Sequence, residues 1–183
     1  MISGNRILIA IGLISAIAGA VFFQVLIKPE FIQSQTDSNS IVQSNPESFE
    51  HLPLISLNGD ESRLGDWKNS ILIINFWAPW CAPCRREIPA LIELQKKYAP
   101  DVQIIGMAAD NAENVERFQN EYQMNYPSFL TQTYMPAYNS IFTNPGGALP
   151  FTVILDSNRN IVFKHHGEAK LEQLEKELAH LKR

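Results

Sequence analysis

Apolar and polar positions change period along this chain, and each change marks an element. Leu52-Pro53-Leu54-Ile55-Ser56-Leu57 has the pattern of a short strand and runs into the turn signal Asn58-Gly59-Asp60. Leu64 and Trp67 fall in the short connection that follows and are expected in the core. Ile71-Leu72-Ile73-Ile74-Asn75-Phe76 is an apolar run broken only by Asn75, which predicts a buried strand. Ile88, Leu91, Ile92, Leu94 and Tyr98 then recur at three- and four-residue spacings, so a helix follows, with a kink expected where Pro89 removes a backbone N–H. Residues 102–107 predict the next buried strand, and Asp110 or Asn111 caps a helix through Val115, Phe118 and Tyr122. This strand–helix–strand order calls for a right-handed crossover in a parallel sheet. Residues 127–130 suggest a strand, 135–142 a short helix, and 144–147 a turn region. Phe151-Thr152-Val153-Ile154-Leu155 and Ile161-Val162-Phe163 pair across a Ser157-Asn158 hairpin turn. A closing helix carries Leu171, Leu174, Leu178 and Leu181 on one face. The elements together predict an α/β fold, a mixed central sheet flanked by helices on both faces.

Residues 7–27 carry no charge and are interrupted only by Ser15, Gln24 and glycines. About 20 apolar residues cross a bilayer as a helix, so residues 1–27 are expected to form an N-terminal transmembrane helix through which the chain engages the inner membrane. Arg6 and the α-amino group precede the run, while Lys28 is followed by acidic and neutral residues, which favours a cytoplasmic N-terminus and an extracytoplasmic remainder. A cleaved signal peptide is the alternative, because Ala18-Gly19-Ala20 fits a cleavage site; the apolar run nevertheless continues through Val21, Phe22 and Phe23. Residues 28–50 are dominated by Gln, Ser and Asn and predict a flexible polar tether, leaving 51–183 as one domain large enough for its own core. A formal net charge of −4 gives no electrostatic case for nucleic acid.

The only two cysteines, Cys81 and Cys84, stand two residues apart between the Ile71 strand and the helix. The strand therefore delivers Cys81 to a helix N-terminus, whose unpaired N–H groups and dipole favour an anion such as a thiolate. A free thiol titrates near about 8.5, and such a setting lowers that to roughly 3.5–7.5. Pro83 suits a helix start because its fixed φ is helical and its missing N–H would be unpaired anyway. A structural staple is a poor account, since so short a loop removes little unfolded-state entropy. A zinc site lacks a second cysteine pair, and the four histidines are scattered. The pair is therefore expected to be a redox-active disulfide.

Trp77-Ala78-Pro79-Trp80-Cys81-Ala82-Pro83-Cys84 after the apolar strand resembles the active site of the thioredoxin superfamily, and Cys84-Arg85-Arg86-Glu87-Ile88-Pro89 resembles its membrane-anchored TlpA/ResA-like branch, from about Leu52 to the C-terminus. The resemblance implies a thioredoxin-like fold and a periplasm-facing thiol:disulfide oxidoreductase without cofactor. Cys81 would be the attacking thiolate and Cys84 the resolving one. It further implies a cis Pro150 opposite the cysteines, with Leu149 offering its backbone to substrate, and a functional glutamate at Glu87, one turn beyond Cys84. Asn75 departs from the buried Asp of many thioredoxins and cannot ionise, which leaves Glu87 as the replacement proton acceptor. The competing account of Glu87 is a solvated first-turn glutamate. Trp80 is expected to shield the disulfide and touch partners, Trp77 to lie in the core, and Arg85 and Arg86 to be solvated charges. The implied partners are protein disulfide substrates and a membrane electron-donor protein, with reduction of apocytochrome c cysteines as one use.

Two rivals differ in class. A thiol oxidase that donates disulfides fits less well, because Ala82-Pro83 lacks the histidine of strongly oxidising relatives. A non-enzymatic copper-delivery module of the Sco type uses a three-residue gap between its cysteines and a distant histidine, whereas the gap here is two. A peroxidase would carry its reactive cysteine in a Pro-x-x-x-Thr-x-x-Cys setting, which is absent. His165 and His166 alternate across a strand end, so at most one faces any site, and a metal role is not expected of them.

Overall fold

The central strand β3 (Ile71–Trp77) is buried at every residue because strands flank it on both sides and helices cover both faces. In this computed structural model residues 46–181 are described, so the expected membrane helix and residues 28–45 of the expected tether lie outside the described residues. Among the described residues no helix is long and apolar enough to cross a membrane.

β3 pairs in parallel with β4 (Val102–Ala108), which pairs in parallel with β5 (Ser128–Leu130). On its other side β3 meets β6 (Phe151–Leu155) antiparallel, and β6 meets β7 (Ile161–His166). The hairpin of β1 (Pro53–Ile55) and β2 (Glu61–Arg63) adds to β5, giving the order β2-β1-β5-β4-β3-β6-β7. The sheet is mixed, as its sequence pattern predicts, and the chain has the thioredoxin-like α/β fold.

Side chains of a strand alternate between faces, so β3 feeds two cores. Leu72, Ile74 and Phe76 join Leu54, Ile105, Met107, Phe151 and Val153 beneath α1 (Pro46–Glu50) and α4 (Met135–Ile141). Ile71 and Ile73 join Leu91, Leu94, Leu174 and Leu178 beneath α2 (Ala82–Tyr98) and α5 (Leu171–Leu181). Further along the same face Trp77 packs with Cys81, Cys84, Ile88, Val115 and Phe118, the last two from α3 (Ala112–Tyr122). Each fully buried Leu, Ile or Phe contributes roughly 1.5–3 kcal/mol, so these clusters hold β3 rigidly under the cysteines. Pro89 lies inside α2 on its exposed side, and the helix continues past it to Tyr98.

Asn111 rather than Asp110 caps α3: its side-chain oxygen accepts from the Asn114 N–H at 2.9 Å. Asn111→Ala is expected to cost about 1 kcal/mol, read from the shift in a urea unfolding midpoint.

The tether boundary at residue 50 is corrected. Pro46–Glu50 is a helix whose Phe49 is fully buried, its ring centroid 5.3 Å from that of Phe142. A segment with one apolar side chain has no readable period, and tertiary packing decides it. The Glu61–Arg63 strand escapes the pattern for a similar reason, being a polar edge.

Candidate active site

Cys81 occupies the cap position before α2, with extended backbone. The Cys84 N–H donates to Cys81 Sγ at 3.3 Å, so a free amide of the first helical turn points at the sulfur. The two cysteines form a disulfide with Cα atoms 5.3 Å apart. They differ in access: Cys81 keeps 6% of its surface, Cys84 none. Trp80 beside them is 68% exposed, the larger of two exposed large hydrophobics among the described residues. Trp77 is fully buried, in keeping with a core role.

The Leu149–Pro150 peptide is cis. Leu149 is half-buried and packs against the cluster that contains both cysteines, so this segment and the dithiol share one end of the sheet. The Pro150 carbonyl accepts from the Gly167 N–H at 2.9 Å, which ties this segment to the loop between β7 and α5. Gly167 there has φ +93°, a conformation glycine adopts without strain.

Glu87 is not a solvated helix residue. Only 1% of it is exposed, and both carboxylate oxygens have partners. Oε1 accepts from Asn75 Nδ2 at 2.7 Å and Oε2 from the Ala169 N–H at 2.8 Å. Burial pushes its pKa up to about 7, against the pull of those two bonds and with a smaller push from Glu168. Asn75 Nδ2 also faces Thr152 Oγ1 at 3.1 Å, so a buried polar row runs from β6 across β3 to the helix. Tyr126 is buried on the same face, and its phenol is held well above its ordinary value by burial and then by the Glu87 charge. β4 passes this row at Gly106, where a Cβ would stand 2.5 Å from Ser128 Oγ and 2.9 Å from Trp77 Nε1, so no larger residue fits without a shift.

Arg85 and Arg86 are exposed, as expected. Arg85 donates to Tyr122 Oη at 3.2 Å, and Arg86 pairs with Glu168 at 2.7 Å. His166 is exposed and stacks on Phe151, while His165 is half-buried and turned to the other face. Among the described residues no three His, Cys, Asp or Glu side chains are grouped to hold a metal ion. The sequence pattern missed Thr152, Tyr126 and the Ala169 amide. Thr152 alone had a signal, as a polar residue inside the apolar Phe151–Leu155 run.

Residues 47–164 match the AhpC/TSA family. The chain belongs to that family. It is 30% identical over 173 residues to a thiol-disulfide oxidoreductase ResA of Bacillus cereus, covering 93% of this chain and 94% of that one. To the thioredoxin-like protein YneN of Bacillus subtilis it is 32% identical over 129 residues, 68% of this chain and 73% of that one. The fold matches the crystal structure of a DsbF homologue from Corynebacterium diphtheriae at a TM-score of 0.64, with 24% identity, 71% of this chain and 83% of that one covered. The chain is a thioredoxin-like thiol:disulfide oxidoreductase.

Proposed function

We propose that this oxidoreductase is held at the inner membrane by residues 7–27, faces the periplasm or its equivalent, and reduces disulfides in partner proteins. The observation that carries the exchange chemistry is the Cys81–Cys84 disulfide at a helix N-terminus, with Cys81 keeping a small exposed surface and Cys84 none. In the reduced protein the Cys81 thiolate attacks one sulfur of the partner's disulfide, and the other partner sulfur leaves as a thiolate. The Cys84 thiol gives its proton to the Glu87 carboxylate, and its thiolate attacks Cys81 Sγ. The second partner sulfur then leaves. The partner gains two electrons and two protons overall, and the enzyme is left as the disulfide. A carboxyl group with a pKa near about 7 accepts and returns a proton at physiological pH. Leu149 offers backbone to the partner chain, and Trp80 covers the mixed disulfide from solvent.

A membrane electron-donor protein restores the dithiol, and apocytochrome c cysteines fit as substrates, since two nearby thiols must be reduced before they react further. Support for the location is the uncharged run with Arg6 before it. A Cys84→Ala chain in intact cells tests substrate and place together. Part of it is expected to hold a partner protein in a mixed disulfide on Cys81, and the part whose Cys81 stays free is expected to react with a membrane-impermeant thiol reagent added from the periplasmic side. A domain reached only after lysis, or a mature chain starting at Val21, contradicts the anchored, outward-facing arrangement.

A further inference from the structure

Ala169 N–H and the Glu168 carbonyl belong to one peptide group, and both ends of that group are engaged. Its N–H donates to Glu87 Oε2 at 2.8 Å, and its oxygen faces His165 Nε2 at 3.3 Å. A carbonyl only accepts, so Nε2 carries the ring proton, and in the neutral ring Nδ1 is then an acceptor. Gln173 Nε2 meets that Nδ1 at 3.1 Å, as this tautomer requires. The result is a continuous chain: Gln173 to His165, His165 to the 168–169 peptide, that peptide to Glu87, and Glu87 to Asn75 and Thr152.

We propose that His165 is a positioning residue for Glu87: its ring N–H fixes the Glu168–Ala169 peptide so that the Ala169 N–H caps the buried carboxylate. Two effects follow from the geometry. The loop after β7 is restrained, with Gly167 tied to Pro150 on one side and Ala169 buried in the core on the other. A donor on the carbonyl also polarises the peptide, which makes its N–H a stronger donor to the carboxylate. This inference rests on Glu87 acting as the proton partner of the dithiol, because positioning matters through that role.

The other charged or titratable groups near Glu87 are accounted for. Glu168 turns its side chain to Arg86 and Lys170, both exposed, which hold it below its ordinary range. Tyr126 stays protonated well above its ordinary value. His166 and Lys164 are exposed, unlike His165.

The test reads the Glu87 carboxyl by carbon NMR titration in the oxidised full-length chain, where neither cysteine titrates. Weakening the Ala169 cap removes a bond that favours the carboxylate, so the inflection should rise. In His165→Leu it is expected to move up by about one pH unit from its position near about 7. His165→Gln keeps a donor for the Glu168 carbonyl and should titrate with the wild type. Gln173→Leu, which frees the ring to rotate, should shift the same way by less, and it decides the matter if His165→Leu does not fold. Inflections that coincide in wild type, His165→Leu and Gln173→Leu overturn the proposal. Failure of the Glu87 role itself would appear elsewhere, as an unchanged thiol alkylation profile in Glu87→Gln.

Discussion

Cys81→Ala abolishes disulfide reduction, whereas Cys84→Ala reacts once and stops. Turnover is expected to fall by roughly three orders of magnitude or more in both, because each removes a nucleophile that nothing nearby replaces. The two failures differ in kind. Without Cys81 the remaining thiol is fully buried and a partner disulfide cannot reach it. Without Cys84, Cys81 with its small exposed surface still attacks, and its sulfur still borders the helix N-terminus, but the mixed disulfide has no second thiol to resolve it. Stopped turnover with a partner-sized mass increase in Cys84→Ala, and neither reaction nor adduct in Cys81→Ala, is the expected pair. Equal adducts in both proteins would mean that Cys84 becomes accessible on reduction.

Glu87→Gln is expected to stabilise the protein above neutral pH and to slow its chemistry. The folded carboxyl binds its proton more tightly than the unfolded one, so the stability it contributes is present below the unfolded pKa, near about 4.3, and lost as pH rises through about 7. A rise from 4.5 to about 7 corresponds to about 3 kcal/mol. The oxidised variant should therefore match the wild type near pH 4 and exceed it by about 3 kcal/mol near pH 8.5 in urea unfolding. Gln fits because Asn75 can rotate its amide: Asn75 Oδ1 has no partner among the described residues, and turned over it accepts from Gln and from Thr152. On the proposed mechanism the same change also removes the acceptor of the Cys84 proton, a carboxylate one helical turn beyond Cys84. At least one thiol pKa should fall, and resolution of a model mixed disulfide should slow by roughly 10²-fold, the low end of general-base catalysis. Superimposable alkylation profiles and equal resolution rates would leave water as the acceptor.

Much of this was legible in the chain because the signals were local. The Ile71 run, the cysteine spacing and the leucine stripe of the last helix each declare an element within a few residues. The state of Glu87 was harder to read. It follows two arginines that are exposed, and local pattern marks all three as surface. Its burial comes from distant groups, the Ala169 amide and the Asn75–Thr152 pair, which only the closed sheet brings together. Phe49 shows the same limit: one apolar side chain among polar ones becomes core because Phe142 waits for it. Asn75 lies between these cases. Its position inside an apolar strand marked it as special, but its partners came from α2 and β6.

A single-turnover experiment follows attack by Cys81 and resolution by Cys84 in order. The reduced chain is mixed with a peptide containing one disulfide, quenched in acid at increasing times, and mapped by mass spectrometry. This order of events predicts a transient peptide adduct on Cys81 alone, followed by the Cys81–Cys84 disulfide and one equivalent of dithiol peptide. An adduct on Cys84, or peptide reduced without the Cys81–Cys84 disulfide forming, would contradict it.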